Sequence, residues 1–170
     1  MKKITIKDLI INASIAAIYV VLTLLLGNLS YGPVQFRVAE ILVLLCFFDK
    51  KYIIPLTLGC FISNLMSPYG IYDIAFGTLA TVLSLITISK SKNLFVASLF
   101  PVIFNGVIVA FEISLLSGVF TPEVFLFDMF TIMIGEFVCV SIIGVILFTV
   151  LKKNDAFMSL ITNKEKIKEN

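Results

Sequence analysis

The chain has 170 residues, 59% of them hydrophobic and 14% charged, where soluble domains run near half apolar and a quarter charged. That balance belongs in lipid, and the length matches a single domain, residues 1–170. The net charge is only +2 and histidine is absent, so neither an HExxH zinc protease nor a Ser-His-Asp hydrolase can be assembled from this chain alone.

Six apolar segments follow one another at 9–27, 34–48, 52–65, 72–89, 94–117 and 126–151. The run from Leu9 to Leu26 approaches the roughly 20 residues that span a bilayer and exceeds a signal-peptide core, so it is expected to be a retained helix. Within it, Ala13, Ala16 and Ala17 make a small-residue face with AxxxA spacing, which admits a close neighbour from a partner or from the bundle itself. The second and third segments are short for a span, and Asp49-Lys50-Lys51 allows only a tight hairpin between them. Arg37 and Glu40 open the second segment; three residues apart on one helix, they form a structural ion pair or contact a ligand. Asn64 closes the third. Asp73 opens the fourth, where it caps the helix or joins a site, and the small residues from Gly77 to Thr81 read as helix packing.

In the fifth segment, Pro101 removes a backbone donor and invites a kink. Asn105 and Glu112, two helical turns apart, share a face. The sixth carries Asp128, expected to be solvated near the outer mouth, and the deeper Glu136. The tail, 152–170, is polar and lysine-rich, with orientation and solubility as its expected role. Cys46, Cys60 and Cys139 sit in apolar runs without CxxC spacing and read as small core hydrophobes.

Six spans put both termini on one side, together with Lys2, Lys3, Lys7, Lys50, Lys51, Lys90, Lys92, Lys152, Lys153 and the tail lysines. The positive-inside rule makes that side cytoplasmic. The opposite loops, 28–35, 66–71 and 118–125, contain no Lys or Arg. The expected fold is therefore an all-α integral membrane bundle of six transmembrane helices with both termini cytoplasmic. A Walker A motif is missing, so ATP-driven transport would need ATPase partners.

Charges within spans cost about 2.5–3.5 kcal/mol each on insertion scales and are functional candidates by default. Glu40, Asp73, Glu112, Asp128 and Glu136 outnumber the one base, Arg37, and most of this set falls in the outer half. Such a ring describes a pocket reached from outside. Its surplus acceptors suit a cationic or donor-rich ligand. A planar nitrogen heterocycle with a guanine-like edge fits, because one carboxylate accepts two parallel N–H bonds. Phe36, Tyr69, Tyr72, Phe104 and Phe111 lie near these groups in sequence, and Phe36 is the stacking candidate.

Six blocks in order carry a family resemblance: Ala13 with Ala17; Tyr31-Gly32-Pro33-Val34-Gln35-Phe36-Arg37-Val38-Ala39-Glu40; Gly59 to Leu65; Asp73 to Thr81; Pro101 to Gly106 with Glu112; and Gly135-Glu136. In these the chain resembles the queuosine-precursor transporter family, QueT, whose members are substrate-binding S components of energy-coupling-factor (ECF) transporters. The resemblance implies an ECF S-component-like bundle in the plasma membrane of a bacterium. It would capture a 7-deazaguanine, queuine or 7-aminomethyl-7-deazaguanine, from outside and topple in the membrane after binding. Its implied partners are a transmembrane coupling protein and two ATP-binding cassette ATPases, with no nucleic acid, no cofactor and no catalysis in this chain. It implies docking through Ala13 and Ala17 and ligand contacts from Phe36, Arg37, Glu40, Asn64, Asp73, Asn105, Glu112 and Glu136. Alternatives from the same residues are an S component for riboflavin or thiamine, and a self-sufficient proton- or cation-coupled carrier using Glu112 and Glu136.

Overall fold

A computed structural model describes residues 5–32 and 34–162. Lys2, Lys3, Pro33 and the distal tail, 163–170, lie outside the described residues. Each apolar segment becomes a helix within a few residues of its expected bounds. The first helix, α1 (Ile6–Leu25), starts at a capping box in which Thr5 accepts from the Asp8 amide while the Asp8 carboxylate reaches back to Thr5. Only Ile15, Tyr19 and Thr23 of α1 are buried, a stripe at i, i+4 and i+8 flanked by the half-buried Ile11, Ala16 and Leu22 that leaves the opposite face of the helix outward.

The second helix, α2 (Val38–Phe48), runs as a 3-10 helix through Leu44 and as an α-helix from Leu45. It is apolar on nearly every side, and Ala39, Glu40, Ile41, Val43, Leu44, Leu45, Cys46 and Phe48 are all buried. A helix of that kind belongs in the centre of a bundle. A 3-10 turn over Lys50–Tyr52 leads into α3 (Ile53–Asn64). Three longer helices follow: α4 (Ile71–Ile88), α5 (Leu94–Ser117) and α6 (Pro122–Leu151). Pro101 lies within α5 without ending it. Inside α6, the stretch Phe137–Gly144 is a π-helix, a feature frequent at functional sites.

Four helices, α1, α4, α5 and α6, are long and apolar enough to cross a membrane. The 12 residues of α3 rise only about 18 Å, well short of a hydrocarbon core of about 30 Å, and α2, mostly 3-10, reaches only about 20 Å. Large apolar side chains such as Leu25, Ile71, Phe127 and Ile146 point outward, as they do when the surrounding solvent is lipid. The three cysteines are buried and free.

Loop contacts define the two ends of the bundle. At one end Lys51 pairs with Asp8 at 3.1 Å, and the Tyr52 hydroxyl donates to the Ile161 carbonyl at 2.7 Å. At the other, the Tyr31 hydroxyl donates to the Ser63 carbonyl and the Tyr69 hydroxyl to the Tyr31 carbonyl. The tail departs from expectation: a short helix, α7 (Asp155–Ile161), buries Ile161 and lays Phe157 and Met158 against the main apolar core. Those three apolar side chains, read from sequence as part of a polar tail, repay burial once Tyr52 anchors the helix end.

Close approach of α1 to α3 depends on Gly59. A Cβ there would lie 3.0 Å from the Tyr19 Cβ and 3.1 Å from the Ala16 carbonyl oxygen. Gly59→Leu is expected to lower stability by about 1–3 kcal/mol through overpacking, read as a lower thermal midpoint in detergent; an unchanged midpoint would mean that the two helices separate freely.

Candidate functional site

The buried polar residues cluster where α2 enters the bundle. Arg37, immediately before α2, is 2% exposed and pairs with Asp73 of α4, its Nη2 3.2 Å from Oδ1. Its Nε donates to the Ser30 carbonyl at 3.4 Å, and the guanidinium stands 5.9 Å from the centre of the Tyr31 ring, within cation–π range. Asn64, at the end of α3, donates to the Asp73 carbonyl at 2.9 Å and to the Thr78 hydroxyl at 3.2 Å. Gly77 makes room for this arrangement, since a Cβ there would meet Asp73 Oδ1 at 2.5 Å and Asn64 Nδ2 at 3.0 Å.

Arg37 and Glu40 do not pair with each other. Arg37 lies just outside the helix with ψ 82°, so the helical i, i+3 relation does not apply, and the guanidinium reaches α4 instead. Glu40 accepts at Oε1 from the hydroxyls of Tyr19 and Thr81, the latter at 3.3 Å. Asp73 does not cap α4 either: Gly70 holds the cap position, and the carboxylate is committed to Arg37. Pairing a buried guanidinium outweighs capping, because an unpaired charge in the interior costs several kcal/mol.

On the other side of the cluster, Asn105 of α5 donates to Glu136 Oε1 of α6 at 3.1 Å. Glu112 is buried two turns further along the same face of α5, and Asp73 and Arg37 lie within its electrostatic range, as Glu40 and Arg37 do for Glu136. Eight of the ten sequence candidates fall in these segments as follows: Arg37, Glu40, Asn64, Asp73, Asn105, Glu112 and Glu136 are buried together, while Phe36 is half-buried against the apolar core. The other two, Ala13 and Ala17, stand exposed on the outer face of α1, and Ala16 turns inward toward Gly59. Asp128 is half-buried.

Several buried polar atoms have no hydrogen-bond partner among the described residues. Besides Asn12 Oδ1 and Thr162 Oγ1, they are Glu40 Oε2, Asp73 Oδ2, Asn105 Oδ1, both oxygens of Glu112, Glu136 Oε2, both amide atoms of Gln35, and the hydroxyls of Ser30 and Ser114. Native interiors leave few such atoms. Here most are acceptors and come from five separate segments, a chemistry that suits a ligand rich in N–H donors. Above the cluster, burial pushes the Tyr31 hydroxyl up to about 12, so it stays protonated and keeps donating to Ser63.

Sequence reasoning overlooked Tyr19, Thr81 and Gln35. Tyr19 and Thr81 looked like ordinary members of apolar helices, and only the packing of α1 and α4 against α2 brings them to Glu40. Gln35 stood in the loop 28–35 and in the Tyr31–Glu40 block with no role of its own, because nothing in its spacing signals burial.

The molecule is thus a multi-pass membrane protein whose helices enclose a cluster of carboxylates and amides. A family model described as QueT transporter matches residues 9–153, and the chain belongs to that family. It is also similar to the "Queuosine precursor transporter QueT" of Lactococcus lactis subsp. cremoris (strain MG1363), with 47% identity over 87 residues, 50% of this chain and 51% of that protein. The chain thus matches about half the length of that curated relative. No solved structure matches the chain.

Arg37→Met or Asp73→Asn alone is expected to cost about 3–5 kcal/mol, because each strands a buried partner. The double substitution should cost less than the sum of the two. Denaturant titration in detergent measures this, and strictly additive effects would mean that the pair is not coupled.

Proposed function

We propose that this chain is the substrate-binding membrane subunit of an ATP-driven ECF-type importer that captures a queuosine precursor from outside the cell. The observation that carries the reading is the set of unpartnered buried acceptors on Glu40, Asp73, Asn105, Glu112 and Glu136, in a chain whose family model is a QueT transporter. The printed name of the Lactococcus relative, a queuosine precursor transporter, supports the substrate class. A 7-deazaguanine such as queuine or 7-aminomethyl-7-deazaguanine presents N1–H and the exocyclic amine side by side, which one carboxylate accepts together. An aminomethyl group would add a cation for a second.

In this reading the chain crosses the plasma membrane of a bacterium six times with both termini cytoplasmic, α2 and α3 forming the short central pair. The lysine-free loops 28–35, 66–71 and 118–125 face outward. The chain performs no catalysis; a transmembrane coupling protein and two ATP-binding cassette ATPases supply transport energy. Ala13 and Ala17, exposed side by side on α1, are the docking face for the coupling protein, since small residues let helices approach closely.

Calorimetric titration of the purified protein in detergent tests the substrate. 7-Aminomethyl-7-deazaguanine or queuine should bind, and guanine, riboflavin and thiamine should bind far more weakly; binding of a vitamin instead overturns the substrate. Glu112→Gln and Glu136→Gln should each weaken binding about ten- to a hundredfold, the value of a charge-assisted hydrogen bond. If both leave affinity unchanged, the carboxylates do not read the base.

Ala13→Trp and Ala17→Trp are expected to abolish cellular uptake while leaving titrated affinity intact. Full uptake with either tryptophan would return the alanines to ordinary packing, and uptake by vesicles without any ATPase would replace the ATP-driven mechanism with a coupled carrier.

A further inference from the structure

Gln35 combines three features that ordinary packing does not explain. Its backbone has φ 48°, the only positive φ on a non-glycine among the described residues, a region that L side chains rarely adopt. Its side chain is 1% exposed, yet neither the amide nitrogen nor the amide oxygen has a hydrogen-bond partner among the described residues. Its position is also tightly held. The Gln35 N–H donates to the Gly32 carbonyl at 3.0 Å, and its own carbonyl accepts from the Arg37 N–H at 2.9 Å.

The loop is pressed onto α6 at Gly135, immediately before Glu136. A Cβ at 135 would overlap the Val34 carbonyl oxygen and would lie 2.9 Å from that of Gln35. A strained, pinned residue with a buried amide, on a loop that lies against α6 next to Glu136, fits a group held ready for a ligand, since such strain concentrates at functional sites.

The chemistry of the amide identifies what it reads. The cluster already offers surplus carboxylate oxygens for ligand edges that present only donors. Asn105 has committed its N–H2 to Glu136 and has only its oxygen left. Gln35 is the buried side-chain amide with donor and acceptor both free, so it matches an edge that presents an acceptor next to a donor.

A deazaguanine base keeps one such edge clear of the N1–H and exocyclic amine that the carboxylates take: in purine numbering, the N3 acceptor beside N9–H. We propose that the Gln35 amide is the specificity element for that edge, donating to N3 and accepting from N9–H, and so selects free bases over N9-substituted forms such as nucleosides. The inference rests on the deazaguanine reading above.

The test titrates 7-aminomethyl-7-deazaguanine and its 9-methyl derivative into the wild-type protein, Gln35→Leu and Gln35→Gly, in detergent. Glycine tolerates the positive φ, which separates loss of the amide from loss of the loop conformation, and thermal midpoints report folding. Wild type should bind the free base at least about tenfold more tightly than the 9-methyl form. Either variant should weaken free-base binding by about ten- to a hundredfold, as two neutral hydrogen bonds predict, and should reduce the discrimination to within about threefold.

Equal binding of both ligands by the wild type overturns the assignment while leaving the substrate class standing. So does a variant that keeps the wild-type ratio. If the wild type binds neither deazaguanine, the substrate reading fails and this assignment fails with it.

Discussion

One buried positive charge organises the interior. Arg37 is the only basic residue among the described buried ones, against Glu40, Asp49, Asp73, Glu112 and Glu136. In a bundle surrounded by lipid, its guanidinium must be paired, and it bridges the loop before α2 to α4 through Asp73 and to Ser30 behind it. That commitment fixes where α2 begins. It also holds Glu40 one 3-10 turn further in, within reach of Tyr19 and Thr81. The carboxylates that Arg37 cannot serve hold the unpartnered oxygens: one cation neutralises one partner, Glu40 and Glu136 each find donors for one oxygen, and Glu112 finds none among the described residues.

Glycines make the polar cluster sterically possible. Gly77 leaves room on α4 for the Asp73 and Asn64 side chains, and Gly135 lets the chain at 34–35 lie flush on α6. Gly59 brings α1 close enough for the Tyr19 hydroxyl to reach Glu40. At Gly77 and Gly59 a missing Cβ is exchanged for a hydrogen bond or ion pair in the interior, where such bonds matter most because water is scarce. The same three glycines lie inside sequence blocks that carry the family resemblance, so the resemblance has a steric as well as a chemical component.

The arrangement also separates two tasks. The buried face of α1 contributes Tyr19 to the polar cluster, while its exposed face carries Ala13 and Ala17. A buried polar contact and an outward small-residue surface therefore share one helix, an arrangement that the proposed docking role would use.

Much of this was legible in the sequence. Apolar run length located α1 to α6, though not α7, because a segment that cannot hydrogen-bond to water in lipid must satisfy its backbone internally as helix. The polar residues at 37, 40, 64, 73, 105, 112 and 136 stood out because charge and amide are costly there, and they do meet. Their pairings were not legible. Spacing suggested Arg37 with Glu40, but the start of α2 falls one residue later and the partner comes from α4, 36 residues away. Nor could spacing reveal Tyr19, whose hydroxyl matters only because α1 packs beside α2, or Gln35, whose burial follows from a loop pressed onto Gly135. Local sequence determined which segments are helices and which side chains are expensive to bury. Only the tertiary packing decided which of those side chains satisfy one another and which are left without a partner, because that depends on close approaches between segments far apart in the chain.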